Sequence, residues 1–197
     1  MSLYNAEVSA GSLMPMESRR LAELLLQRPD DAAWSKAIKQ DNILQKNSPA
    51  TAVRQARLIR NRLTLLDEEG LRLIAEESPE IRTQMLLLAA IRHSRLLGDF
   101  MIDVYRSRLR RLDDTLNPAD WDAFLHECAH RDPLVDTWSE STRAKLLQVV
   151  LRILAEARYL ESTRSLRLTP PLLHPRVVTY LRAHNDSYAQ EAMELNR

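Results

Sequence analysis

Residues 48–66 read SPATAVRQARLIRNRLTLL, and this stretch decides the fold class. Ser48 is a good N-cap, and Pro49 occupies the first helical position, where its lack of an N–H is harmless. Ala52, Ala56, Ile59, Leu63 and Leu66 then follow at steps of 4, 3, 4 and 3. That spacing is one buried stripe of an amphipathic helix.

The rest of the chain agrees. Among 197 residues there are three glycines, against an average of about 7%. Sheets need glycine at hairpin turns, while helices tolerate it poorly. Leu, Ala, Arg and Glu dominate, and these are good helix formers. The sequence therefore predicts an all-α, globular multi-helix protein. Prolines and capping residues mark the elements. Residues 1–16 are expected to be irregular. A helix over about 17–27 follows Pro15 and buries Leu21, Leu24 and Leu25. A second starts at Pro29-Asp30 and buries Trp34, Ala37 and Ile38, and a short turn or helical segment covers 41–47. Asp67 caps a helix to about residue 76, and Ser78-Pro79 starts one that runs to 112 with a break near Gly98. Asn117-Pro118 opens another, which ends before Asp132-Pro133. Ser139 or Ser141 opens a strongly apolar helix through Leu146, Val150, Ile153 and Ala157, at the centre of the C-terminal half. Residues 160–174 read as a loop with a small β-ribbon at 166–168, and 175–183 and 187–195 as short helices. The break at 113–117 is a candidate boundary between an N-terminal half, 1–112, and a C-terminal half, 113–197, which can share one core.

Apolar residues make up 45% and charged residues 28%, ordinary values for a globular chain. The single cysteine, Cys128, rules out an internal disulfide and fits a reducing compartment. No signal peptide is visible, and the longest purely apolar run, 85–91, is far short of the roughly 20 residues a spanning helix needs. A cytoplasmic protein with no membrane span is expected. With a net charge of +1, any nucleic-acid footprint must be a local patch.

One such patch is legible. No acidic residue lies between Ile43 and Leu66, yet the stretch holds Lys46, Arg54, Arg57, Arg60 and Arg62. The buried stripe leaves Thr51, Arg54, Gln55, Arg57, Asn61 and Arg62 on other faces. Arginine binds guanine edges or phosphates, and glutamine and asparagine bind adenine. The helix N-terminus with the Ser48 hydroxyl can hold a phosphate. Two short helices and a turn precede it, a helix-turn-helix order. A weaker second unit runs through 118–131, the Asp132-Pro133 turn and 141–159, with Arg143 and Lys145 early in its long helix and Arg164 and Arg167 in the following loop, where a wing would reach phosphates. Against both stands the plain alternative of solvated basic faces paired with neighbouring acids. That alternative is favoured for a third cluster, Arg92, His93, Arg95, Arg106, Arg108, Arg110 and Arg111.

One motif argues for chemistry. His126-Glu127-Cys128-Ala129-His130 matches H-E-x-x-H, whose histidines share a helix face and can bind zinc, with Glu156 a conceivable third ligand. The motif sits at a helix end, no strand pattern supplies an edge for a peptide substrate, and chance matches are common. Phosphate-cradling and nucleophile-elbow motifs are missing. No catalytic residue, metal ligand or cofactor is therefore assigned.

Several stretches taken together carry a resemblance: LYNAEVSAGSLM (3–14), ESRRLAELLL (17–26), NILQKNSPATAVRQARLIRNRL (42–63), WSESTRAKLLQVVLRILAEA (138–157) and PPLLHPRVVTYLRAH (170–184). In this order they resemble the BrxA family, core proteins of bacterial BREX (bacteriophage exclusion) defence systems. The resemblance implies an all-helical monomer with helix-turn-helix elements that binds double-stranded DNA and has no known enzymatic activity. It implies other BREX components as partners, among them a DNA methyltransferase and a large ATPase. It supplies no set of DNA-contacting residues, so the candidates remain those of the helix-face argument. A second reading is a helical adaptor whose basic helix grips an acidic partner protein.

Overall fold

Local capping chemistry sets where most helices begin. A computed structural model describes residues 2–194, all-α in class. The first helices are α1 (Pro15–Leu26), α2 (Asp31–Lys39), α3 (Pro49–Leu63), α4 (Glu68–Glu76) and α5 (Pro79–His93). Then come α6 (Arg95–Asp99), a π-helical segment (Phe100–Tyr105) and α7 (Arg106–Arg110). The chain continues through α8 (Ala119–Arg131), α9 (Glu140–Glu156), α10 (Pro175–Ala183) and α11 (Ser187–Met193). The Asp30 carboxylate accepts the Ala33 N–H at 2.7 Å, Asp67 that of Gly70 at 2.9 Å, and the Ser139 hydroxyl that of Thr142 at 3.2 Å. Each cap satisfies an orphan donor of a first turn. Among the described residues no helix is long and apolar enough to cross a membrane.

The stripe on α3 is buried as its spacing predicts, and the turn after it buries Leu66 as well. On α9, Leu146, Val150 and Ile153 are fully enclosed. Leu24, Leu25 and Trp34 are only half-buried, packed at the edge of the core. Residues 41–47 form turns with no helix, and the expected end of α11 at Leu195 lies outside the described residues.

Two expectations need correction. The break in the long helix falls at Ser94, whose backbone is extended and whose hydroxyl caps α6 at the Leu97 N–H. Gly98 lies inside α6, and its role is close approach: a Cβ there would meet the Tyr188 ring, with Cζ 2.8 Å away. The ribbon expected at 166–168 is reduced to two isolated antiparallel bridges, Thr115 with Arg167 and Leu160 with Leu168.

The N-terminal segment is irregular, but it belongs to the core. Tyr4, Val8 and Leu13 are buried, and a 3-10 turn (Glu7–Ala10) packs against α3 and α9. Asp99, itself 4% exposed, gathers this segment and the C-terminal helices. It accepts the Tyr4 hydroxyl at 2.7 Å on one oxygen and, on the other, the Tyr188 hydroxyl at 2.8 Å and the Arg95 guanidinium at 2.9 Å. Buried apolar side chains from Tyr4 to Met193 form one connected cluster.

Candidate nucleic-acid interface

The outer face of α3 carries Arg54, Arg57 and Asn61. Steps of three and four place them on one side of the helix, and all three are exposed. Neither arginine has an ion pair or hydrogen-bond partner among the described residues. A cleft of about 420 Å³ opens between α2 and α3, with Trp34, Ile38 and Val53 in its lining and Lys39, Arg57 and Arg60 as its cations. A smaller cleft, about 210 Å³, is lined by Arg54, Arg57, Leu58 and Asn61 together with Glu7 and Ala10. The Arg60 guanidinium lies over the Trp34 ring, 4.6 Å from its centroid, with Asp31 a loose partner at 3.9 Å. At the start of α3, Ser48 is exposed, and its hydroxyl accepts the Thr51 N–H at 3.4 Å; Thr51 is half-buried.

Two other candidates on this stretch, Lys46 and Arg62, are committed elsewhere, and a third, Gln55, is partly enclosed. Lys46 is paired with Glu17 at 2.5 Å, and that partner holds the Glu17 carboxyl below its usual range against the effect of burial. Arg62, expected on the outer surface, is 4% exposed. Its guanidinium donates to the carbonyls of Ser12 at 2.6 Å and Gly11 at 2.9 Å, which pins the N-terminal segment. Burial pushes its pKa down to about 10, opposed by the charge of Glu156. Gln55 is half-buried, and its side-chain oxygen is enclosed without a hydrogen-bond partner. These sites fill because the N-terminal segment and α1 cover the inner flanks of α3, which helical periodicity alone does not reveal.

The second unit divides in the same way. Arg143 folds back on a 3-10 turn (Pro133–Thr137) and donates to the carbonyls of Trp138 at 3.2 Å and Val135 at 3.4 Å. Its guanidinium thereby closes the end of that turn. Lys145 is exposed and donates to Gln148 at 3.1 Å. Arg164 and Arg167 are exposed in a loop whose backbone is fastened by the Ser162 hydroxyl, which accepts the N–H groups of Arg164 and Ser165. The cluster from Arg92 to Arg111 is largely neutralised: Arg92 pairs with Asp186 at 2.7 Å, Arg95 with Asp99, Arg106 with Glu191, and Arg108 with Asp120 and Asp113. Arg110 and Arg111 are exposed.

The H-E-x-x-H motif occupies the last turns of α8. His126 and His130 are exposed, with their Nε2 atoms 3.2 Å apart. Glu156 does not join them; it accepts the Leu13 N–H at 2.8 Å. Among the described residues no three His, Cys, Asp or Glu side chains are grouped to hold a metal ion. Cys128 is buried, and burial pushes its thiol up to about 11, so it is a packed apolar group rather than a nucleophile.

A sequence profile of the BrxA family matches residues 2–185. The chain belongs to the BrxA family. A relative from Paramagnetospirillum magneticum, named BREX protein BrxA, is 38% identical over 193 residues, covering 98% of this chain and 97% of its own length. Another of the same name, from Escherichia coli O9:H4, is 37% identical over 175 residues, covering 89% of this chain and 82% of its own. The crystal structure of an uncharacterized protein from Magnetospirillum magneticum superposes with a TM-score of 0.90 at 36% identity, covering 98% of this chain and 99% of that one. In this BrxA chain, the side chains beside Arg57 that helix-face reasoning left out are Trp34, Lys39 and Arg60. The basic last turn of the preceding helix, Lys36 and Lys39, was the available signal for Lys39. The stacking of Arg60 on Trp34 had none, since the two residues lie on different helices.

Proposed function

We propose that this BrxA-family protein is a non-catalytic, monomeric component of a BREX phage-defence system that binds double-stranded DNA through the outer face of α3. The observation that carries the reading is the pair Arg54 and Arg57, exposed and without acidic partners among the described residues, on a helix with no acid between residues 43 and 66. In the mechanism, Arg54 and Arg57 neutralise backbone phosphates, and Asn61, one turn further on, reaches a base edge. The α3 N-terminus and Ser48 hold a further phosphate. We read α2, the turn at 40–48 and α3 as a helix-turn-helix unit, with Lys39 and Arg60 flanking the contact. Lys145, Arg164 and Arg167 are exposed in the C-terminal half and would extend the phosphate track. The relatives' shared name, BREX protein BrxA, supports a place among BREX components; a DNA methyltransferase and an ATPase of that system are the partners we propose.

The test is fluorescence anisotropy with a random duplex of about 30 base pairs over a range of salt. Arg54→Ala with Arg57→Ala should weaken binding and flatten the salt slope by roughly 1 to 2 units. An unchanged slope removes α3 from the interface.

The cleft between α2 and α3 favours one second reading. Its lining by Trp34, Ile38 and Val53 beside Lys39, Arg57 and Arg60 suits an acidic protein segment with an apolar anchor. Competition separates the two: a DNA-binding face releases such a partner when duplex is added, and an adaptor that ignores duplex at low salt does not.

A further inference from the structure

We propose that His126 and His130 form a two-histidine chelate for a zinc-class transition-metal ion on the last turns of α8. The Nε2 atoms stand 3.2 Å apart, and the rings are edge to face with centroids 4.7 Å apart. Zinc sits about 2.0–2.1 Å from a histidine nitrogen, so two nitrogens at this separation subtend roughly 100° at a shared ion, near the tetrahedral angle. The helix supplies this spacing without strain, because residues four apart lie one above the other. Both rings are exposed, so a bound ion keeps access to water.

The metal-free contact between the rings requires one Nε2–H to donate to the other Nε2. Chelation requires a lone pair on both. A neutral imidazole provides it by moving its proton to Nδ1 through exchange with water, so no net proton is lost. His126 and Glu127 also line a cleft of about 430 Å³ between α8 and the π-helical segment with α7, whose wall carries Arg108, Arg111 and Arg131 beside Asp103 and Asp120, and to which His130 does not contribute. Such wide turns recur at functional sites. The exposure of both rings leaves room for water or an added carboxylate on the open coordination positions. Glu156 is engaged with the Leu13 N–H and Cys128 is buried, so neither completes a closed site. The proposed ion is therefore a two-point anchor with exchangeable ligands, independent of the DNA-binding reading.

Isothermal titration calorimetry with Zn²⁺, and separately Ni²⁺, tests this on the full chain without a histidine tag. One saturable ion per chain is expected. His126→Ala and His130→Ala should each lower affinity by at least about tenfold. The double variant should bind no better than either single one, since each single variant keeps at most a one-point ligand. His174→Ala and His184→Ala should leave binding unchanged, and circular dichroism should find every variant folded. Absence of saturable binding for both ions overturns the proposal, as does affinity that stays at the wild-type level after either single substitution at α8.

Discussion

Arg54 and Arg62 stand on one helix and meet different fates. Both lie off the apolar stripe, so periodicity treats them alike. Arg54 has solvent in front of it, whereas Arg62 has the carbonyls of Gly11 and Ser12, brought there from about fifty residues away. The exposed part of the candidate site was thus legible in the sequence, and the buried part was not, because its partners are tertiary. His93 shows the electrostatic side of the same contact. Burial pushes its pKa below 6.5, the Arg62 charge adds to that, and Glu7, 3.1 Å away, opposes both. The unfolded chain then binds more protons than the folded one just below the unfolded pKa, so this group makes stability fall as pH drops through about 6.5. His184 acts in the other direction: the hydrogen bond with the Tyr180 carbonyl and its Asp67 partner raise its pKa, so its stabilisation is present in acid and lost as pH rises through the folded value. Comparing melting temperatures of wild type and His93→Gln cancels the His184 contribution. The variant should lose less stability between about pH 7 and pH 5, and equal losses would remove His93 from the acid response.

At the scale of elements, starts were readable, and the interruption of the long helix was readable only to within a few residues. Asp30, Ser48, Asp67, Ser78 and Ser139 all cap the helices expected of them, because capping involves atoms only three residues apart. Ser94 caps α6 by the same local chemistry, through the Leu97 N–H, whereas the π-helical segment after Asp99 has no side-chain cap and lies where α11 packs. Gly98 is a point of close approach in that packing. Gly98→Ala drives a methyl group into the Tyr188 ring and displaces its hydroxyl from Asp99. A cost of about 1–3 kcal/mol follows for such overpacking, measurable by urea unfolding. An unchanged midpoint would mean that Tyr188 does not rest on that helix.

For the whole molecule, the segment before α1 matters more than its irregular backbone suggests. Tyr4, Val8 and Leu13 are 0%, 0% and 2% exposed. Burying side chains of this size is worth about 1.5–3 kcal/mol each, so together they rival the 5–15 kcal/mol, roughly, that holds a typical domain folded. A chain beginning at residue 15 should lose its cooperative thermal transition by circular dichroism, and a sharp transition near that of the full chain would refute the role given to this segment. Apolar content was visible there, but without periodicity nothing in the sequence told a packed strap from a tail. The Asp99 carboxylate has a consequence for synthesis. Its hydroxyl donors, Tyr4 and Tyr188, lie 95 residues before it and 89 after it. During translation Tyr4 emerges ahead of its acceptor and waits for it, and the acceptor in turn waits for Tyr188. A nascent chain that has reached α9 still has this carboxylate short of one donor, so the final closure of the core belongs to the later part of translation.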